Sequence, residues 1–380
     1  RCGESGLRPR PDGRDGSGRV APLPTLEREE PERRALLVHQ AGPHTSVQDL
    51  GRLGLAGMGY APAGALDRRA LQTANVLVGN PVDEAALEIA LAGAEFEAEG
   101  DLTIAVTGAD LTPLLDGEPL PLYRAASMRA RARLRFAATR SGLRAYLAIG
   151  GGIAVPEVLG SRSTDLVGQI GGLEARLPRA GDRLPVGERA GRVAGYALPM
   201  PNSIAPSRLT PRVVWGPEDD WFDEQAQALF TGTAYRVSDR GDRTGVRLLG
   251  EPLQAATRSL ASEGAVPGAI QIPPDGQPIV LLADSRGVGG YPKIAVVIEA
   301  DLDLLAQAAP GASIRFRPVS EQEARRLALA YRTAQATLPL RPLPELLVRC
   351  LREIGAASRT VIPCPRTLDC VVSRRCAHQA

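Results

Sequence analysis

From Ala35 onward the chain is cut into short apolar or alternating runs, each ended by glycine or charged turn residues, and this pattern constrains the fold more than any other feature. The runs at 102–106 (LTIAV), 131–137 (RARLRFA) and 144–149 (RAYLAI) carry the length and alternation of strands. One helix stands among them, over 66–77, closing at Gly79. Glycine and proline total 73 of 380 residues (41 and 32), under the roughly 25–30% of low-complexity chains, so these residues punctuate a fold. The expectation is a mainly β protein with a few helices, α+β in class.

Composition then divides the chain. Residues 1–34 are rich in Arg, Pro, Gly and charge, with too few apolar residues to offset the entropy of ordering, and read as a disordered leader. A β-rich domain is expected over 35–195, a Pro-rich linker at 196–211 and a second β domain over 212–319. The second opens with a strand at 212–215 (RVVW) and a helix at 218–230, whose Glu218, Asp219 and Asp220 suit a helix start, with Gly232 past its end. Strands follow at 234–237, 269–272, 278–283, 294–298 and 313–316, with a short helix at 301–309. Ser320 and Glu323 form a capping box for a helix over 320–337, before a Pro-rich, Cys-bearing tail at 338–380.

Several functional classes drop out. Lys+Arg exceeds Asp+Glu by 45 − 43 = 2, so the chain lacks the basic field that nucleic acid or an anionic membrane surface attracts. No uncharged apolar run reaches the ~18–20 residues of a membrane span, and no signal-like apolar run follows the first residues, which makes the cytoplasm the expected compartment. The cysteines are Cys2, Cys350, Cys364, Cys370 and Cys376, leaving the folded part without disulfide or thiol nucleophile. Cys364, Cys370, Cys376 and His378 are spaced too widely for a structural zinc site, and no metal is assigned. A P-loop is absent, and Gly287-Val288-Gly289-Gly290 fails the dinucleotide fingerprint because Pro292 takes its third glycine and a strand follows.

The most informative segment is 276–297 (GQPIVLLADSRGVGGYPKIAVV): strand, Asp284, glycine loop, Tyr291-Pro292-Lys293, strand. Backbone N–H groups of a glycine loop form an anion-binding concavity, and Lys293 adds a point charge. Lys293 is the single lysine, since 44 of the 45 Lys+Arg are arginines. Such a survivor points to a compact ammonium able to transfer a proton, with a solvated strand end as the plain alternative. Gln48 and Asp49 in 45–52 (TSVQDLGR) suit an amide-bearing substrate or an Asx turn. Arg162 among Ser161, Ser163 and Thr164 suits a carboxylate clamp or a capped turn. Asp239-Arg240 and Asp242-Arg243 read as a solvated hairpin tip, and Trp215 and Trp221 as core.

Together these segments resemble the biotin-dependent carboxyltransferase-like family, which includes the C component of 5-oxoprolinase, KipA-type proteins and the second half of the urea carboxylase carboxyltransferase domain. The resemblance covers about 36–319 and is carried by TSVQDLGRLG (45–54), PAGALDRRALQTANVLVGNP (62–81), AALEIALAG (85–93), TGADL (107–111), RAYLAIGGGIAVPEVLGSRST (144–164), VPGAIQIPPDGQPIVLLAD (266–284) and GGYPKIAVV (289–297). It implies two barrel-like β domains, the C-terminal one cyclophilin-like. The implied activity is that of the C component of an ATP-dependent 5-oxoprolinase, opening the lactam 5-oxoproline to L-glutamate with a KipI-like B component and a LamB/YcsF-like A component, and inactive alone. The alternatives are a carboxyltransferase component of a biotin-dependent urea or amide carboxylase, or a non-catalytic KipA-like regulator. ATP would act in the complex, and no covalent biotin is expected here, because the sole lysine has no neighbouring Met. The expected catalytic residues are Lys293, Asp284 and Asp49, with Asp284 keeping Lys293 charged opposite Gln48, Asp49 and Arg52. The expected substrate-binding residues are Gln48, Arg52, Arg162, Ser163, Gln271, Gly289, Gly290 and Tyr291. Asp284-Ser285-Arg286-Gly287-Val288 departs from the hydroxyl-rich Arg-Gln-Thr-Thr loop of the family.

Overall fold

Alternation decides the first layer. In the strand Leu102–Asp110, Leu102, Ile104 and Val106 face one side, while Thr103, Ala105 and Thr107 face the other, as the period of two dictates; all but Asp110 are buried. A strand buried on both faces needs a cover on each. One cover is a second sheet; the other is the helix Arg68–Val78, onto whose Ala70 carbonyl Thr107 Oγ1 donates at 2.7 Å. The computed structural model describes residues 34–188, 196–199, 207–338 and 340–342. The expected leader to Arg33, the tail beyond Pro342 with its cysteines and His378, Cys2, and 200–206 of the expected linker lie outside the described residues.

The central sheet is antiparallel, in the order His44–Gln48, Ala86–Ala90, Ser141–Ile149, Leu102–Asp110, Ala125–Met128. Facing it lies a six-stranded sheet, Arg183–Pro185, Ala35–Ala41, Ala94–Glu99, Arg133–Phe136, Pro113–Leu115, Glu118–Pro119. Leu36, Phe96, Leu134 and Phe136 from the outer sheet meet Leu87, Ile104 and Leu147 from the central one, and each such side chain contributes about 1.5–3 kcal/mol on burial. The helix begins where Asp67 accepts the Ala70 N–H at 2.8 Å and ends at Gly79, whose φ of 82° is the left-handed geometry that closes a helix. Glu88 interrupts an otherwise apolar strand and, by the same alternation, points with Tyr146 to the outer face of the central sheet.

The C-terminal part builds a nine-stranded sheet, in the order Arg208–Leu209, Ser313–Ile314, Tyr235–Val237, Gly245–Leu249, Ile279–Leu281, Ala269–Gln271, Lys293–Val297, Arg212–Trp215, Arg317–Pro318. Laid flat, such a sheet would hold its edges about 38 Å apart at ~4.8 Å per strand. Yet three peptide steps, reaching ~11 Å, carry the chain from Leu209 at one edge to Arg212 beside the other, and again from Ile314 to Arg317. The sheet therefore curls until its edges meet. Phe230 and Phe316 stack inside at 4.8 Å, with Tyr235 beside them.

Two local expectations need correction. The helix expected at 218–230 is a 3-10 turn, Asp219–Trp221, followed by the helix Glu224–Gly232, because Asp223 accepts the Ala226 N–H at 2.8 Å and caps a new start. Trp215, expected in the core, is 38% exposed and only flanks Phe230 at 6.2 Å, since Phe230, Tyr235 and Phe316 already fill that space; Trp221 packs partly buried on the same core. The serine half of the expected capping box forms: Ser320 Oγ accepts the Glu323 N–H at 3.2 Å and opens the helix Glu321–Ala336, while the Glu323 carboxylate lies toward Arg317.

Candidate functional site

The outer face of the central sheet meets the curled sheet through a buried network of charges. Glu88, fully buried, is ion-paired with Arg243 and accepts from Tyr146 Oη at 2.7 Å and Leu66 N–H at 3.0 Å. Arg243 donates through Nε and Nη2 to the two carboxylate oxygens of Asp284, both at 2.9 Å, and to the Gly64 carbonyl at 2.6 Å. Burial works against the Arg243 charge, but Glu88 and Asp284 outweigh it and strengthen its hold on the proton. Burial also opposes ionised Glu88, yet Arg243 and Arg144 bring its carboxyl below the ordinary range. Asp284 goes the other way: burial raises it despite Arg243.

The hairpin containing Arg243, expected to be solvated, is so only in part. Arg240 is exposed there, but Arg243 is only 5% exposed and ties the two β parts together. Burial of its charge is sustained because three acceptors surround the guanidinium. Glu88 is visible in the sequence as a lone carboxylate in AALEIALAG; its partner is not, because nothing in a Gly-Asp-Arg turn distinguishes an inward arginine.

A second cluster organises the loops beside this tie. Asp49 Oδ1 accepts from Gly51 N–H (2.7 Å), Ser161 Oγ (2.6 Å) and Ser163 Oγ (2.5 Å), and Oδ2 from Arg162 N–H (2.5 Å). The carboxylate is thus spent on joining the Asp49–Gly51 turn to the 161–163 segment. Arg52, 1% exposed, donates to the carbonyls of Val158 (3.1 Å) and Ser163 (2.6 Å), and packs so closely on Gly171 that a methyl there would collide with Nη2. Arg162 donates to the Val155 carbonyl at 3.0 Å and pairs with Glu84 and Glu157, and Gln48 Nε2 donates to Ser46 Oγ and the Thr164 carbonyl. Among the described residues, Arg52 Nη1 and Gln48 Oε1 are buried without a partner.

Lys293 lies in a third cluster. Its side chain is 5% exposed, and Nζ pairs with Glu218 at 3.0 Å and with Glu263, while its backbone N–H donates to Glu218 at 2.8 Å. The expectation that Asp284 keeps Lys293 charged is corrected: Asp284 is held by Arg243, and Glu218 and Glu263 do that work. Burial opposes the ammonium, but the two carboxylates outweigh it and raise its affinity for the proton. Gln48, Asp49 and Arg52 make their bonds with the 158–164 segment instead. Gln271 pairs with Lys293 across the antiparallel ladder at a bulge that follows Ile270, and a methyl on Gly289 would collide with Gln271 Nε2. Gly290 and the 44% exposed Tyr291 line a hollow of about 460 Å³ with Trp221 and Arg258.

The loop 284–290 joins the clusters. Asp284 belongs to the tie, Gly287 faces Ala56, Arg286 donates to the Val167 carbonyl at 3.2 Å, and Val288–Gly289 pairs with Glu263–Gly264 over Gln271. Among the described residues, Ser285 Oγ in this loop and Gln271 Nε2 beneath Gly289 are also buried and unpartnered, which with Arg52 Nη1 and Gln48 Oε1 makes four unanswered polar atoms, two from each β part. Each such atom costs about 1–3 kcal/mol, which a ligand can recover.

A carboxyltransferase domain arranged as subdomains A and B is the class this architecture fits, and the model for that family matches residues 58–318. The chain is 43% identical over 290 residues to the C component of 5-oxoprolinase from Escherichia coli K12, covering 76% of this chain and 93% of that one. It is 37% identical over 285 residues to the corresponding C component from Haemophilus influenzae, covering 74% and 90%. Among solved structures it matches the K. lactis urea amidolyase at 31% identity and a TM-score of 0.73, over 82% of this chain but 20% of that much longer enzyme. The chain belongs to the carboxyltransferase-domain family, on the branch that resembles the 5-oxoprolinase C component.

Proposed function

We propose that the chain is the C component of an ATP-dependent 5-oxoprolinase, contributing to the opening of 5-oxoproline to L-glutamate together with the A and B components. The observation that carries this reading is the 43% identity across 93% of the E. coli protein. A lactam is a poor electrophile with a poor leaving nitrogen, so its opening needs activation, which ATP supplies in the complex; the absent P-loop is consistent with nucleotide chemistry shared with partners. In this reading the loop 284–290 is the wall of the substrate site, Arg243 holds it through Asp284, Asp49 holds the neighbouring 161–163 segment, and Lys293, Gln271, Arg52 and Gln48 face the substrate. The curled sheet is read as the cyclophilin-like domain of this family, and the cytoplasm as the compartment.

The alternative, a carboxyltransferase component acting on urea or a similar amide with a biotin enzyme, draws on the likeness to urea amidolyase, which is more distant in identity. A tagged copy of the chain co-expressed with the A and B components should carry both through affinity purification at fixed stoichiometry and show no covalent biotin on a streptavidin blot. Co-purification with a biotinylated carboxylase in place of these two would shift the assignment to the alternative.

A further inference from the structure

We propose that Lys293 and Gln271 form a docking site for a small carboxylate, and that Glu263 occupies it as an internal stand-in. This deepens the reading above, in which the substrate bears one carboxylate, and rests on that reading only for the identity of the natural ligand.

Lys293 is balanced twice. Glu218, whose side chain is 7% exposed, receives both the backbone N–H and Nζ of Lys293 and already neutralises the ammonium. Glu263 adds a second negative charge that neutrality does not require, and its side chain is 41% exposed, on the two-residue pairing of Glu263–Gly264 with Val288–Gly289. One counter-ion is therefore part of the buried framework and the other is replaceable from solvent. The Gln271 amide supplies an independent sign of a ligand. Gln271 is 6% exposed, pairs with Lys293 at a bulge, and its Nε2 has no hydrogen-bond acceptor among the described residues. The pairing of Gln271 with Lys293 falls at a bulge that follows Ile270, which brings one ammonium and one unanswered amide N–H to neighbouring strands.

A ligand carboxylate that displaces Glu263 leaves the local charge count unchanged, with one ammonium and two carboxylates, and offers the second oxygen that the Gln271 amide lacks. Gly289 lies over this amide, where a methyl would collide with Nε2, so the donor is covered by the Val288–Gly289 strand and a ligand reaches it only as the Glu263–Gly264 pairing yields. The ammonium binds in this scheme as a held charge.

The single lysine makes the test direct. With lysine as the only 13C-labelled residue, the full chain gives one side-chain Cε signal, from Lys293. Acetate and 5-oxoproline should each move that signal saturably, whereas 2-pyrrolidinone, the same lactam without the carboxylate, should not. Glu263→Gln should tighten acetate binding by about fivefold, the equilibrium equivalent of losing an exposed ion pair, and Gln271→Leu should weaken it. A signal unmoved by both carboxylates, or an acetate affinity unchanged in Glu263→Gln, overturns the proposal. Acetate binding without any oxoprolinase activity in the reconstituted complex would keep this site and remove the assigned substrate; activity with an unmoved signal would do the reverse.

Discussion

Arg243→Leu separates a tie between two β parts from a surface hairpin. The substitution removes a guanidinium that is 6% exposed, deletes its paired bonds to Asp284 and its bond to the Gly64 carbonyl, strands Asp284 as a buried carboxylate, and leaves Glu88 with Arg144 at 3.5 Å as its remaining cation. Removing one partner of a buried ion pair costs about 3–5 kcal/mol, mostly because the remaining charge has no counterpart. At ~2–4 °C per kcal/mol for a domain of this scale, the melting temperature should drop by roughly 6–20 °C. Without the guanidinium, both carboxylates can escape the cost by taking up protons, so the deficit relative to wild type should be smaller at pH 5 than at pH 8. Urea unfolding at both pH values measures it. Arg325→Ala, which breaks an ion pair whose partners are 82% and 78% exposed, is the control and should cost no more than about 0.5 kcal/mol. A loss below 1 kcal/mol for Arg243→Leu, or a deficit equal at the two pH values, would refute the reasoning.

Other expectations follow from the same contacts. Asp49→Asn exchanges one charged acceptor for a donor facing the Arg162 N–H or the two serines, and should cost about 1.5–3 kcal/mol in urea unfolding. Asp303, which accepts from Tyr331 Oη at 2.6 Å, is pushed up to about 8 by burial and then by Asp67. A raised carboxyl stabilises the fold fully below its unfolded value and loses that contribution as pH rises to about 8, so wild type should lose more stability than Asp303→Asn between pH 5 and pH 8. His44 is lowered from 6.5, first by burial, so its contribution is present above 6.5 and fades as pH falls below it; His44→Gln should flatten the acid side of the stability profile. Lys293→Arg should raise KM for 5-oxoproline while changing kcat less than tenfold; a loss of about 10²-fold in kcat at unchanged KM would mark a proton-transfer role instead.

The strands are legible because burial on one or both faces leaves a period that survives in a single sequence: 212–215 reads as a strand and is one, and 102–106 lies within Leu102–Asp110. The helices with explicit caps at Asp67 and Ser320 likewise fall near their expected bounds. The broken start at 218–230 is not legible, because an acidic run favours any helix N-terminus, while the choice of Asp223 as the cap depends on Phe222 turning into the core. For the site, sequence nominates Lys293 by its rarity and Asp284 by its glycine loop, yet it pairs them with each other. Their true partners, Glu218 and Glu263 for one and Arg243 for the other, lie 75, 30 and 41 residues away, and only the closing of the curled sheet brings them into reach.

In the proposed function this chain is a required part of a lactam-opening complex. The direct measurement is glutamate release from 5-oxoproline with ATP, using the purified A and B components and this chain, each omitted in turn. Turnover is expected only when all three are present, with ATP consumed in step with glutamate formed. Turnover by this chain alone, or equal turnover in its absence, would contradict it.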